Sequence, residues 1–289
     1  MGDAFAKKNL ESPRLVAEML LSHVLGCERL RLVTDPDRPA TPIERQRLRE
    51  LVARALEHEP VHYLVGEKWF YGLPMHVDRR VLIPRPATET IVDCVLRHAR
   101  ASAGFGGPSG DGIVIADVCT GSGCIAVALL KYLPGARAVA TDESAEALEV
   151  ARRNAERHAV ADRLELVRGD LLDALDQSPT TRTRGTVHYL VSNPPYIPDH
   201  EWNDVPPNVK DHEPTRALRG GGDGLEFVRA VISGGPDRLR PGGLLLVETA
   251  DSTAEAARAL AAEHPRLEGV EILRDFEGLP RVVMGHAGA

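Results

Sequence analysis

The chain has 289 residues, 43% apolar and 27% charged, with a formal net charge of −7. That length suits one sizeable α/β domain plus a smaller one. No run reaches the roughly 18 apolar residues of a membrane span, and the acidic balance counts against phosphate-driven binding of duplex nucleic acid.

The first 60 residues read as helical. Residues 1–10 are charged and lack the apolar core of a signal peptide, so a cytoplasmic protein is the expectation. Ser12-Pro13 has the form of a helix N-cap followed by proline at the first helical position, and Gly26 is a stop. Thr41-Pro42-Ile43-Glu44 has the form of a capping box, starting a second helix that runs to about His58. Leu48, Leu51, Val52 and Ala55 give that helix an apolar stripe. Residues 61–86 are rich in β-formers, with turn signals at Gly72 and Pro74, and predict one or two hairpins linking the domains. A helix over 88–100 and a Gly/Ser-rich loop over 101–112 follow.

Beyond 112, strands and helices alternate. Strands are expected over 113–118, 136–141, 164–167, 187–191, 244–247, 270–273 and 282–284. Helices are expected over 124–133, 144–158, 225–239 and 253–263. Such alternation predicts a mostly parallel sheet with helices on both faces.

The first of these strands runs into Asp117-Val118-Cys119-Thr120-Gly121-Ser122-Gly123, with a helix behind it. Glycines let the backbone turn tightly and approach a ligand, which sits above the strand ends at the topological switch point. The T-G-S-G run is a poor nicotinamide fingerprint, and alone it equally fits a tight strand-to-helix turn. The second strand ends in Thr141-Asp142, where an acid can hold two ribose hydroxyls. The third ends in Gly169-Asp170-Leu171, an acid and an apolar residue that can flank an adenine. Together they fit an adenosyl ligand without a pyrophosphate.

The fourth strand leads into Asn193-Pro194-Pro195-Tyr196. Two prolines stop the sheet and freeze the backbone. A rigid turn needs neither an amide nor an aromatic ring, and this one has both. A planar NH₂ group fits as a methyl acceptor: the Asn193 oxygen accepts one N–H, the Pro194 carbonyl accepts the other, and Tyr196 packs on its flat face. An S-adenosylmethionine sulfonium is already a potent electrophile, so positioning does most of the work. On these residues alone, adenine and glutamine are both open as acceptors. Cys27, Cys94, Cys119 and Cys124 form no C-x-x-C pair and no metal-ligand spacing with histidines, so no metal is expected.

The chain resembles the release-factor glutamine methyltransferases, the HemK/PrmC family. The likeness spans Glu59-Pro60-Val61-His62-Tyr63, Phe70-Tyr71-Gly72, Ile83-Pro84-Arg85-Pro86, Thr120-Gly121-Ser122-Gly123 and Asn193-Pro194-Pro195-Tyr196. It continues through Glu213-Pro214, Gly221-Gly222-Asp223-Gly224-Leu225 and Arg240-Pro241-Gly242-Gly243. Asn-Pro-Pro-Tyr also marks adenine N6 methyltransferases; the Ile83-Pro84-Arg85-Pro86 segment makes the likeness more specific.

The resemblance implies a Rossmann-like seven-stranded sheet with its last strand antiparallel. It divides the chain into a helical substrate-recognition domain (1–60), a β-hairpin linker (61–86) and an S-adenosylmethionine-dependent domain (87–289). It implies methylation of the N5 amide of the glutamine in the Gly-Gly-Gln loop of peptide-chain release factors. The alternatives are a ribosomal-protein glutamine or adenine N6. It assigns Cys119, Thr120, Gly121, Ser122, Gly123, Asp142, Leu171 and Asn193 to the cofactor, and the third strand end adds Asp170 to that set. It assigns Asn193, Pro194, Pro195 and Tyr196 to the glutamine, with Asn193, Pro194 and Tyr196 catalytic. A monomer that engages neither nucleic acid nor membrane is expected. Cys119 and Ala250 stand where the family has glycine, Ala87 where it has glutamate, and Leu171 where an aromatic residue is common.

Overall fold

The structure is a computed structural model that describes all residues except 9, 11, 103–106, 185 and 289, and the side chains of 183 and 184. Part of the loop expected over 101–112 therefore lies outside the described residues.

The N-terminal helices are α1 (Gly2–Lys7), α2 (Pro13–Leu25), α3 (Arg31–Thr34) and α4 (Pro42–Leu56). Phe5, Val16, Leu20, Leu51, Ala55 and Leu64 make a separate apolar core for them. The capping box of α4 forms as expected: the Thr41 hydroxyl accepts the Glu44 N–H at 3.2 Å, and the Glu44 carboxylate accepts the Thr41 N–H at 2.7 Å. Ser12 does not cap α2. It takes φ +47°, and its side chain makes no capping hydrogen bond, so Pro13 starts the helix alone. Gly26 ends α2 in the left-handed region at φ +60°.

The linker departs from expectation at both ends. Residues 61–65 form a helix, α5 (Val61–Val65), stopped by Gly66 at φ +74°. One hairpin follows, β1 (Glu67–Phe70) and β2 (Leu73–His76). Its two-residue loop, Tyr71 (φ +48°) and Gly72 (φ +75°), has the positive φ angles that match a hairpin's twist. Val81 to Ile83 are extended by sequence preference but pair with no strand. Their backbone is satisfied by side chains: the Tyr63 hydroxyl donates to the Val81 carbonyl at 2.5 Å, and the Ile83 N–H donates to Glu213 at 3.0 Å.

Helix α6 (Glu89–Ala101) then leads into strands β3 (Val114–Val118), β4 (Arg137–Asp142), β5 (Leu164–Arg168), β6 (Val187–Ser192), β7 (Leu239–Glu248), β8 (Leu267–Arg274) and β9 (Pro280–Ala287). Between them lie α7 (Cys124–Tyr132), α8 (Ala145–Arg157), α9 (Asp173–Gln177), α10 (Pro179–Arg184), α11 (Pro207–Lys210), α12 (Glu226–Gly234) and α13 (Ala254–Ala262). The sheet order is β5-β4-β3-β6-β7-β9-β8, with β9 antiparallel to both neighbours. This is the Rossmann-like seven-stranded sheet. The helix expected over 225–239 ends at Gly234, because Pro236 lacks the N–H a continuing helix needs. The strand expected over 244–247 begins earlier, at Leu239.

One sheet face packs against α6, α7 and the hairpin through Phe70, Met75, Ile91, Leu129 and Leu130. The other packs against α9, α12 and α13 through Leu175, Val228, Ile232 and Ala257. Chain order reverses direction between β3 and β6, which run parallel in register from Ile115–Tyr189 to Val118–Ser192. The carboxyl ends of these two strands deliver the Cys119 loop and the Asn193 turn side by side.

Candidate active site

A cavity of about 200 Å³ opens at the carboxyl ends of β3 to β6. Cys119, Thr120, Gly121, Ser122, Asp142, Asp170, Leu171, Asn193 and Pro195 line it. Of the expected site residues, Gly123, Pro194 and Tyr196 do not.

The loop after β3 is held from beneath by Asp117. This fully buried carboxylate accepts the Thr120 hydroxyl at 2.7 Å and the Ala126 N–H at 3.1 Å. Its other oxygen has no partner among the described residues, and burial pushes the carboxyl up to about 7. Gly123, at φ +77°, turns the chain into α7; a Cβ there would stand 3.0 Å from that of Ala151. Its role is close packing of the loop on α8, which explains why it lies behind the wall. Cys119 is itself at φ +61°, a left-handed conformation that strains any residue with a Cβ. Burial raises the Cys119 thiol well above its usual range, with the Asp142 and Asp117 charges adding to it, and pushes Cys124 up to about 12. Both thiols stay protonated at neutral pH, so neither serves as a nucleophile.

Asp142 ends β4. Its two carboxylate oxygens accept the Gly121 and Ser144 N–H groups, each at 2.9 Å. Burial raises this carboxyl, against those two hydrogen bonds. The carboxylate is thus aimed by two backbone donors and keeps lone pairs free for a ligand. Asp170 is exposed on the cavity wall, and Leu171, at φ +39°, presents an apolar surface that also packs on the second core. Ile125 adds apolar wall. A glycine turn, an acid at the neighbouring strand end and an apolar wall fit the ribose and adenine of S-adenosylmethionine.

On the acceptor side, the Asn193 Nδ2 donates to the Thr88 hydroxyl at 3.1 Å. Its nitrogen is thereby committed, and its oxygen is the group left to accept. Pro194 is buried. Tyr196 is not placed as a flat cover for the acceptor. Its ring packs on the second core, and its hydroxyl donates to Glu248 at 3.0 Å. The turn is braced from behind by the 218–224 segment, where the Ile197 N–H donates to the Leu218 carbonyl at 2.8 Å. A Cβ at Gly224 would stand 2.6 Å from the Tyr196 carbonyl oxygen, so only glycine fits there.

Two residues in this arrangement escape sequence reasoning: Thr88 and Glu248. Glu248 is fully buried at the end of β7, and burial raises its carboxyl. The Thr88 and Tyr196 hydroxyls and the charges of Arg281 and Arg85 act in the opposite direction. An acid closing an apolar strand run on the cofactor side of the sheet was the available signal. Among the described residues, no cluster of His, Cys, Asp and Glu is arranged to hold a metal.

Sheet order and strand-end chemistry define this protein as a Rossmann-like S-adenosylmethionine-dependent methyltransferase. Residues 2–66 match the model of the PrmC N-terminal domain, and residues 109–211 that of the methyltransferase small domain. The release factor glutamine methyltransferase of Chlorobaculum tepidum is 43% identical, covering 96% of this chain and 91% of that protein. The protein of the same name from Geobacter sulfurreducens is 39% identical, covering 98% and 93%. A solved methyltransferase from Pyrococcus furiosus superposes with a TM-score of 0.53 at 18% identity, covering 86% of this chain and 100% of its own, and supports the fold. The chain belongs to the release factor glutamine methyltransferase family.

Proposed function

We propose that this enzyme methylates the N5 amide nitrogen of the glutamine in the Gly-Gly-Gln loop of peptide-chain release factors. The observation that carries the reading is Asn193, which lines the same cavity as Asp142 and has its amide nitrogen already committed to Thr88. S-adenosylmethionine, when bound, supplies an electrophilic methyl group on its sulfonium. The loop from Cys119 to Ser122 would wall it, Asp142 would hold it through the ribose, and Leu171 and Ile125 through apolar contact. Asn193 Oδ1 would accept one N–H of the glutamine amide, and the Pro194 carbonyl would accept the other at the edge of the cavity, which Pro194 itself does not line. Accepting both turns the nitrogen lone pair toward the methyl and favours the positive charge that develops before a proton leaves. Pro195 walls the acceptor, and Tyr196 anchors the turn.

The N-terminal helices with their own core supply a surface to grip the protein substrate. We place the enzyme in the cytoplasm as a monomer that engages neither nucleic acid nor membrane. Among the described residues, no helix is long and apolar enough to cross a membrane.

The test is methyl transfer from S-adenosylmethionine to a full-length release factor, with the product peptide sequenced by mass spectrometry. One added methyl on the Gly-Gly-Gln glutamine is expected. Transfer instead to a ribosomal-protein glutamine, or to adenine in DNA, overturns the substrate assignment.

A further inference from the structure

Asn154, on α8, is inaccessible to solvent, and its side-chain amide makes three hydrogen bonds. Oδ1 accepts the His76 N–H at 2.7 Å. Nδ2 donates to the His76 carbonyl at 3.0 Å and to the Ser122 carbonyl at 2.8 Å. The orientation is forced: two carbonyls take both protons of the NH₂ and one N–H takes the oxygen, so a flipped amide would lose all three bonds.

Two of these bonds serve the hairpin. A strand residue's N–H and C=O point to one side of its strand. Those of His76 turn away from β1, which takes the next N–H, of Val77, through the Gly66 carbonyl. The Asn154 amide pairs with His76 as a neighbouring strand's peptide would, which satisfies a buried edge. The third bond serves something else. In a regular helix start the Ser122 carbonyl would take the N–H four residues on. That N–H, of Ala126, goes to Asp117 instead, and the Ser122 carbonyl is held by Asn154. Ser122 lines the cofactor cavity, and the hairpin leads into Arg80, Val81, Leu82 and Pro84, which line it too. One amide therefore joins two walls of one cavity.

We propose that Asn154 is a positioning residue for S-adenosylmethionine: it fixes the Ser122–Gly123 peptide and the spacing between the cofactor loop and the linker, and so couples the linker to cofactor binding. The proposal rests on reading the 119–122 loop as a wall of the cofactor site. The Ser122–Gly123 peptide is then held at both polar atoms, its carbonyl by Asn154 and its N–H by the Thr120 carbonyl at 2.8 Å. Without the Asn154 donor, the Ser122 carbonyl must turn toward another partner and carry the loop with it. The bond to Ser122 stays within the strand–helix unit that bears the loop; the bonds to His76, 78 residues away, join that unit to the linker.

Asn154→Asp keeps an acceptor for the His76 N–H but sets oxygens without protons against both carbonyls. The S-adenosylmethionine Kd, by calorimetry well below the Tm, should rise about 5- to 30-fold, the scale of one or two lost hydrogen bonds. Turnover at saturating cofactor should stay within about twofold of wild type. Asn154→Ala, which admits water in place of the amide, should shift Kd in the same direction by less. A lowered Tm with unchanged Kd in these variants confines Asn154 to hairpin docking and overturns the proposal. Should Asn154→Asp fail to fold, Asn154→Ala decides it.

Hydrogen exchange of the Val77 N–H, whose Gly66 acceptor is untouched by these changes, reads the coupling. Saturating S-adenosylmethionine should slow it about fivefold more than the amides of β8 and β9 in wild type, and equally with them in Asn154→Ala. Equal slowing in wild type, or an excess that persists in Asn154→Ala, overturns the coupling. Asp142→Ala separates the two readings. Weakened binding there with wild-type Kd in the Asn154 variants sinks the proposal alone. Wild-type Kd in Asp142→Ala sinks the reading of the cavity, and the proposal with it.

Discussion

The cofactor half of the cleft is tied together over short stretches of chain. Thr120 reaches Asp117 across 3 residues, Ser144 reaches Asp142 across 2, and Gly121 reaches Asp142 across 21. The acceptor half is tied over long ones. Asn193 reaches Thr88 across 105 residues, Tyr196 reaches Glu248 across 52, and Ile83 reaches Glu213 across 130. The first half follows once β3 and β4 pair. The second needs the linker, β6, β7 and the 211–224 segment all in place. Backbone donors and a strand-end acid make a ligand cradle that one βαβ unit can supply. Orienting a single amide takes contacts from across the domain.

The sharpest test of this division is Asn193→Ala. If Asn193 accepts from the substrate amide as proposed, its loss should lower kcat by about 10²- to 10³-fold, the scale of a lost transition-state hydrogen bond, while cofactor affinity by calorimetry stays the same. A variant that instead loses cofactor binding would show that the halves are not separable. Asp142→Ala should do the reverse. Losing charge-assisted bonds to a ribose costs about 1.5–3 kcal/mol, so the S-adenosylmethionine Kd should rise roughly 10- to 100-fold. Turnover at saturating cofactor should change little; an effect on kcat alone would remove Asp142 from the ribose.

A smaller effect concerns strain in the cofactor half. Cys119→Gly relieves a left-handed residue. It should raise stability by about 1 kcal/mol, or roughly 2–4 °C in Tm, and a drop in Tm would show that the thiol's packing outweighs the strain. The mildest effect is on pH. Burial raises the Asp142 carboxyl, and in the proposed role the ionised form is the one that accepts from the ribose. Cofactor affinity is therefore full above that raised pKa and is lost as pH falls through it. The loss should begin at higher pH than for an ordinary carboxylate, and Asp142→Asn should abolish it. A Kd flat with pH in the wild type would contradict this.

The same division decides what was legible beforehand. The order of strands and helices after 112, the T-G-S-G turn and the acid at Asp142 were all readable, because period, turn chemistry and strand-end position are local properties. The Thr41 capping box was readable for the same reason. Ser12 has the residue type of a cap but not its backbone angle, which local sequence does not set. The 61–86 segment differs from its sequence pattern at both ends, since β-formers become strands only where a neighbour offers a ladder. Here Tyr63 and Glu213 satisfy the backbone instead. An aromatic ring after two prolines suggests a stacking surface, but the direction of Tyr196 depends on Glu248, a carboxylate the turn does not contain.

By itself, then, the chain determined its fold class and the two strand-end loops, 119–122 and Asn193–Pro195, that line one cavity, since each is written in contiguous residues. Tertiary structure alone decided how the Asn193 amide is held, that Tyr196 faces inward and that Glu248 joins the site. Those are meetings of side chains brought together by sheet register and crossover, and no local pattern encodes a partner across 52 or 105 residues.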